Sequence, residues 1–311
     1  MSKRCGGRRF SDQKRVAKPL TAIGCALALL LGLLVCGATG QDLGGASTQP
    51  EGPPVYRKLA PGVMREVVPP LTYDDTFSRH DVVEILARRG DLDWAKNIWF
   101  RRTVWYLDFK FKDLRFGFVD IPQPDGKLER KLVWYLVYSV TNPGKAIRPR
   151  PRPDGTFEVE TVDQPVFFVP EFYLEARDNL DSQINVYRDQ LIPVAIPAIR
   201  EREDRNREFL NSVQLTREIQ VGETYWGIAT WVDIDPRTDY ISLYVGGLTN
   251  AYRWEDPPGA YRPDMPPGEG RKFTRKMLKI NFWRPGDEYY EHEKEIRYGI
   301  PGQVDYEWVM R

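Results

Sequence analysis

The sequence predicts a mainly β fold, an antiparallel β-sandwich of about nine strands with a few short helices. Three observations carry this. After Arg102, apolar residues recur at every second position in many short segments, the period of a half-buried strand. Pro- and Gly-bearing turns separate those segments, as in all-β sandwiches. Strands and helices do not alternate regularly, so a parallel α/β sheet is not expected.

The first 40 residues stand apart from this pattern. Lys3, Arg4, Arg8, Arg9, Lys14, Arg15 and Lys18 face a single acidic residue, Asp12. Leu20–Val35 is uncharged, and Ala38-Thr39-Gly40 follows with small residues. A basic start, an apolar centre and a small-residue exit make a secretory signal peptide. Cleavage would leave Gln41 first. The uncharged run Pro19–Gln41 is also long enough to stay uncut as a signal anchor. Val35 is not the small residue that a lipid anchor on Cys36 would want before it. The expectation is export to the periplasm or beyond, with membrane contact only through residues 20–40.

Cysteine and charge narrow the chemistry. Cys5, Cys25 and Cys36 all lie in the leader. The remaining chain therefore has no disulfide, thiol nucleophile or thiolate metal site. Without the leader's seven basic residues and one acidic residue, 38 basic residues face 43 acidic ones, a net charge of −5. That argues against nucleic acid as a partner.

Residues 41–70 hold six Pro and four Gly and read as an extended tether. Residues 71–100 read as a short helical segment. Ser78-Arg79-His80-Asp81 opens a helix with Val82, Val83, Ile85 and Leu86 on one face, ending at Gly90. Asp91–Phe100 reads as a second helix. The sandwich domain is then 101–311.

In that domain, Trp105, Leu107, Phe109 and Phe111 alternate with polar neighbours, and Leu114–Ile121 continues the alternation. Leu132, Trp134, Leu136, Tyr138 and Val140 face one way, and Val133, Tyr135 and Val137 the other. Apolar residues on both faces predict a central strand, turned by Asn142-Pro143-Gly144. Further strands are predicted at 156–162, 166–176, 223–233, 240–245, 276–283 and about 289–298. A charged helix is predicted near 198–210, with Glu201–Arg205 and Glu203–Arg207 pairs one turn apart, lying solvated across one end of the sandwich.

WYLVYSVTNPG (Trp134–Gly144) and GETYWGIATWVDIDPRTDYISLYVGGLTN (Gly222–Asn250) resemble strand pairs of uncharacterised exported bacterial proteins with immunoglobulin-like sandwiches. The closing PGQVDYEWVMR resembles the ends of such chains. The resemblance covers most of Trp99–Arg311 and implies a fold and a compartment. It brings no activity and no functional residue.

No residue pattern identifies an enzyme. His80 and His292 are the only histidines, and neither has a nucleophile motif beside it. Two histidines and no cysteine make a zinc site improbable, and no cofactor is expected. Asp233, Asp235 and Asp239 share one loop and offer hard oxygen ligands for calcium, although Arg237 and Thr238 break the EF-hand pattern. A tight turn explains the same residues. Arg148, Arg150 and Arg152 alternate with Pro, which favours a stiff extended loop displaying guanidinium groups to an anionic partner. Alternatively, the loop shields a sheet edge. Trp254 and Tyr261 sit in a Pro-rich segment and could stack on a sugar or close the core. The expected function is a non-enzymatic structural or interaction module of the bacterial cell envelope, acting on envelope protein or polysaccharide. A carbohydrate-binding module is the alternative, and a hydrolase using acidic residues a third.

Overall fold

The computed structural model describes residues 63–76, 102–154, 156–255, 257–260, 269–286 and 295–311. The expected leader, most of the expected tether, the helices expected between 78 and 100, both histidines, Tyr261 and most of the strand expected near 289–298 lie outside them. No helix among the described residues is long and apolar enough to cross a membrane.

The chain is mainly β and antiparallel. Its strands, in order, are β1 (Arg65–Glu66), β2 (Asp108–Phe111), β3 (Arg115–Pro122), β4 (Leu128–Thr141), β5 (Ala146–Pro151), β6 (Phe157–Val162), β7 (Val166–Phe168), β8 (Glu171–Arg177), β9 (Asn185–Arg188), β10 (Arg217–Ile219), β11 (Thr224–Trp231), β12 (Tyr240–Gly246), β13 (Tyr252–Glu255), β14 (Lys272–Trp283), β15 (Arg297–Tyr298) and β16 (Tyr306–Met310). Helix α1 spans Ala195–Glu203, and Tyr73–Thr76 forms a 3-10 turn.

Two larger sheets organise the fold. In the first, β4 is central, with β11 on one edge and β2 and β3 in succession on the other. In the second, the order is β13-β14-β12-β8-β9, with β15 and β16 also on β14. The sheets share one apolar cluster. Phe109, Phe111, Leu136 and Tyr138 from the first meet Phe172, Leu174, Leu243, Ile280 and Phe282 from the second. Aromatic rings knit the contact: Tyr138 and Phe172 have centroids 4.9 Å apart, and Phe111 meets Phe282 edge-on at 6.1 Å. Offset and edge contacts add to the burial of these large side chains.

The doubly apolar β4 is central, as its sequence predicts. Its second face carries Val133, Tyr135 and Val137, which pack with Ile192, Ala195, Ile199, Phe209 and Ile228. Helix α1 therefore covers the outer face of the first sheet rather than lying solvated across one end. It is also shorter than expected, stopping at Glu203. The Glu201–Arg205 pair forms at 2.7 Å, but Arg207 turns to Asp204 at 3.1 Å and Glu203 turns inward.

Two further expectations need correction. Residues 63–70 are not a free tether. β1 pairs with β2, Val67 is buried, and Arg65 meets Asp113 at 2.6 Å. The expected strand 166–176 is two strands, because Pro170 has no N–H to give a ladder. β7 pairs with β10, whereas β8 pairs with β12 and β9.

Candidate functional site

The three residue sets singled out by sequence fare differently. Arg148 and Arg150 lie in β5, where Arg148 stands opposite Glu160 and Arg150 opposite Glu158 across the β5–β6 hairpin. Arg152 meets Glu158 at 3.2 Å. The expected stiff loop is a hairpin strand, and its cations face carboxylates of the same hairpin.

Asp233, Asp235 and Asp239 each turn to a different cation. Lys131 lies 3.1 Å from Asp233, Arg237 3.0 Å from Asp235, and Arg284 4.0 Å from Asp239. Asp233 adopts a left-handed φ of 58°, which Asp tolerates in turns. Among the described residues no three His, Cys, Asp or Glu side chains come together as a metal site.

Trp254 is on β13 and buried. Tyr252 stacks on it with centroids 5.5 Å apart, and Phe273 meets it edge-on at 5.8 Å. The Arg102 guanidinium lies 3.6 Å over the Tyr252 ring and donates to the Tyr252 carbonyl at 2.6 Å. Trp254 is thus a packing residue beneath the surface.

A groove beside this aromatic cluster is a large open feature among the described residues. β12 pairs with β8 as far as Gly246 opposite Glu171. The chain then leaves the sheet at Gly247, whose φ of +82° suits glycine and whose missing Cβ makes room for the Val169 carbonyl. Leu248 and Thr249 cross to the first sheet. Leu107 N–H donates to the Leu248 carbonyl at 2.8 Å, and the Thr249 hydroxyl donates to the Trp105 carbonyl at 2.7 Å. The chain returns as β13 beside β14.

The departure leaves a groove of about 760 Å³ whose walls include Trp105, Phe167, Val169, Tyr252, Phe273 and Met277. Phe167 and Phe273 are 60% and 58% exposed. The groove's polar groups already have partners in the chain. Asn250 accepts from Trp105 N–H and donates to the Thr103 carbonyl, both at 3.0 Å. Lys276 meets Asp75 at 2.6 Å and the Pro70 carbonyl at 2.8 Å. Glu171 meets Arg275 at 3.2 Å. Apolar contact is what this surface offers.

On the outer face of the first sheet, a buried charge cluster holds α1. β2 pairs with β4 up to Phe111 opposite Tyr138, and β3 resumes with Arg115 opposite Tyr135. Three residues, 112–114, thus oppose two, a β-bulge. Uninterrupted alternation would put Lys112 and Arg115 on opposite faces. The bulge brings both to the Tyr135 face.

There the Glu203 side chain, 0% exposed, accepts from Lys112 at 3.0 Å, from Arg115 at 2.7 Å and from the Tyr135 hydroxyl at 2.8 Å. Burial would raise the Glu203 carboxyl, but the Lys112 hydrogen bond, the Arg115 charge and the Tyr135 hydroxyl hold it below its ordinary value. Burial, followed by the Glu203 charge, pushes the Tyr135 phenol far up. Both effects favour the hydrogen-bonded state, phenol neutral and carboxylate ionised. Sequence reasoning missed these residues. The signal was the break in alternation at Lys112-Asp113-Leu114-Arg115.

The site and fold define a mainly β protein with an open apolar groove on one sheet junction and a charge-locked helix on the opposite layer. Comparison with protein-family models, curated proteins and solved structures finds no match to any of them.

Proposed function

We propose that this chain is an exported, non-enzymatic interaction module of the bacterial cell envelope, an immunoglobulin-like β-sandwich that holds an apolar segment of an envelope protein in its groove. The groove carries the reading. Its exposed Phe167, Val169 and Phe273 present apolar surface, while its ionic groups are paired within the chain. Exposed aromatic anchors flanked by satisfied polar groups suit contact rather than bond-making. The basic, apolar and small-residue parts of the leader support the compartment.

A carbohydrate ligand is the second reading. Trp105 and Tyr252 line the groove as half-buried aromatic faces next to Glu171 and Arg275, and such a pairing of rings and polar groups also fits a sugar. Trp254→Ala would not separate the two, because Trp254 is a packing residue. Phe167→Asp and Phe273→Asp probe the groove itself, because both side chains are exposed, and the readout, protein adduct or glycan binding, separates the two.

The test uses a photo-crosslinking residue placed at position 273 and, as a control, at the exposed Val186 of β9. A discrete protein adduct at 273, absent at 186 and lost in Phe167→Asp, is expected. Stability should stay within about 0.5 kcal/mol of the parent, as for exposed changes. Equal adducts at both positions would sink the groove reading, and glycan-array binding lost in Phe273→Asp would favour the sugar. N-terminal sequencing of protein from the envelope fraction checks the address. Gln41 first means a cleaved signal, an intact start in membranes means an anchor, and an intact start in the cytosol refutes export.

A further inference from the structure

We propose that the cavity beneath α1 is a second binding site, one that takes the tail of a medium-chain carboxylate and sets its head group at Arg202. The cavity is separate from the groove and does not depend on it. It measures about 250 Å³ and lies between α1 and the outer face of the β3–β4 hairpin. Gly117, Val119, Val133 and Tyr135 form its floor, Ala198 and Ile199 its roof, and Arg202 its rim.

The sequence explains the space. Gly117 stands opposite Val133 in the ladder, on the face that the bulge turns toward the helix. Ala198 is the small residue above it. A Cβ at position 117 would meet only the Arg202 guanidinium, at 3.6 Å, so the void follows from a missing side chain. An apolar cavity of about 150 Å³ already suffices to take up a benzene-sized molecule, so this one has room for a longer apolar tail.

Charge selects the head group. Arg202 donates to the Phe116 carbonyl at 2.9 Å and takes part in no ion pair among the described residues. Behind Tyr135, Lys112 and Arg115 exceed Glu203 by one positive charge. The carbonyl end of α1 opposes an anion, and these cations offset it. The Glu203 cluster also fixes the helix over the cavity, so the site is formed before a ligand arrives. A neutral apolar molecule would fit the space without using Arg202.

Octanoate and octanol are the probes, and calorimetric titration with the intact chain is the measurement. Octanoate should bind with a 1:1 stoichiometry. Gly117→Val places methyl groups in the void at a strand position that valine favours. It should abolish octanoate binding while leaving the melting temperature unchanged or higher. Arg202→Gln should weaken octanoate roughly two- to fivefold, the range that an exposed ion pair supplies, and leave octanol unchanged. Octanoate binding that survives in Gly117→Val with the fold intact overturns the proposal. So does equal loss of both probes in Arg202→Gln, or binding to anionic lipid vesicles without any to free octanoate. If Gly117→Val fails to fold, Ala198→Leu fills the same void from the helix side, and the same outcomes apply.

Discussion

At the residue scale, Glu203 shows how one carboxylate can secure a helix that has little else to hold it. Among the residues of α1, Ala195 and Ile199 are the buried ones, so the charge cluster bears much of the docking. Glu203→Gln would leave Lys112 and Arg115 uncompensated on a largely buried face. The expected cost is about 3–5 kcal/mol, read as a shift in the urea midpoint. Because the folded Glu203 carboxyl is depressed, its contribution is fully present above the unfolded value of about 4.3. It fades as pH falls through the lower folded value. Asp189 works the other way. Burial raises its carboxyl, despite the Ser212 hydroxyl donating to it at 2.5 Å. Ionising it in the folded chain therefore costs stability as pH rises past the unfolded value toward the raised one. Asp189→Asn keeps an acceptor for Ser212 and removes that cost. It should be neutral or stabilising at pH 7 and have no advantage at pH 3, as measured by paired urea titrations at the two pH values.

At the element scale, the bulge between β2 and β3 decides which side chains share a face. Deleting Asp113 would restore an unbroken ladder along β4, with Lys112 opposite Val137, Leu114 opposite Leu136 and Arg115 still opposite Tyr135. Arg115 would therefore keep the Glu203 face, and what is lost is the part-exposed Asp113–Arg65 pair, about 1 kcal/mol or less. A loss of about 3–5 kcal/mol in the urea titration, the size expected for breaking the buried cluster, would show that the inserted residue itself holds Arg115 on that face. The same scale separates what could be read in the chain from what could not. The alternation in 103–111, 114–121 and 131–141 was legible, since inward and outward positions differ in polarity. β5 was not, because Arg and Pro mask its alternation until β6 supplies the partner. Nor was the division at Val169-Pro170, where Phe167 and Phe168 continue a pattern whose pairing changes partner. Helix α1 was overextended to 210 because its charged repeat continues past Glu203, although that carboxylate is already committed to the sheet.

At the scale of the whole molecule, segments far apart in sequence are stitched into the same layers. Residues 65–68 add β1 to the first sheet, and the Val68 carbonyl accepts from the Trp308 indole at 3.0 Å near the other end of the chain. A chain beginning at Pro69 should therefore lose at least about 1.5 kcal/mol from the burial of Val67 alone. Calorimetry can test this, since a free tether would cost nothing. Of the candidate site residues, Trp254 was legible as an aromatic of consequence but not as a buried one. Phe167 and Phe273 gave no signal, because an outward Phe in a strand looks like any other.

The sequence by itself determined the β class, the central place of β4 and the thiol-free chemistry of everything after residue 40. These follow from period, polarity and composition, which are local and need no partner. Only the tertiary structure decided that Glu203 meets Lys112, Arg115 and Tyr135, 91, 88 and 68 positions away. It alone opened the groove where β12 leaves β8. The cluster depends on strand register and on one inserted residue, and the groove on where β12 leaves its partner at Gly247. A shift of a single position reverses which face each side chain takes, and alternation along one strand carries no record of which partner it will meet.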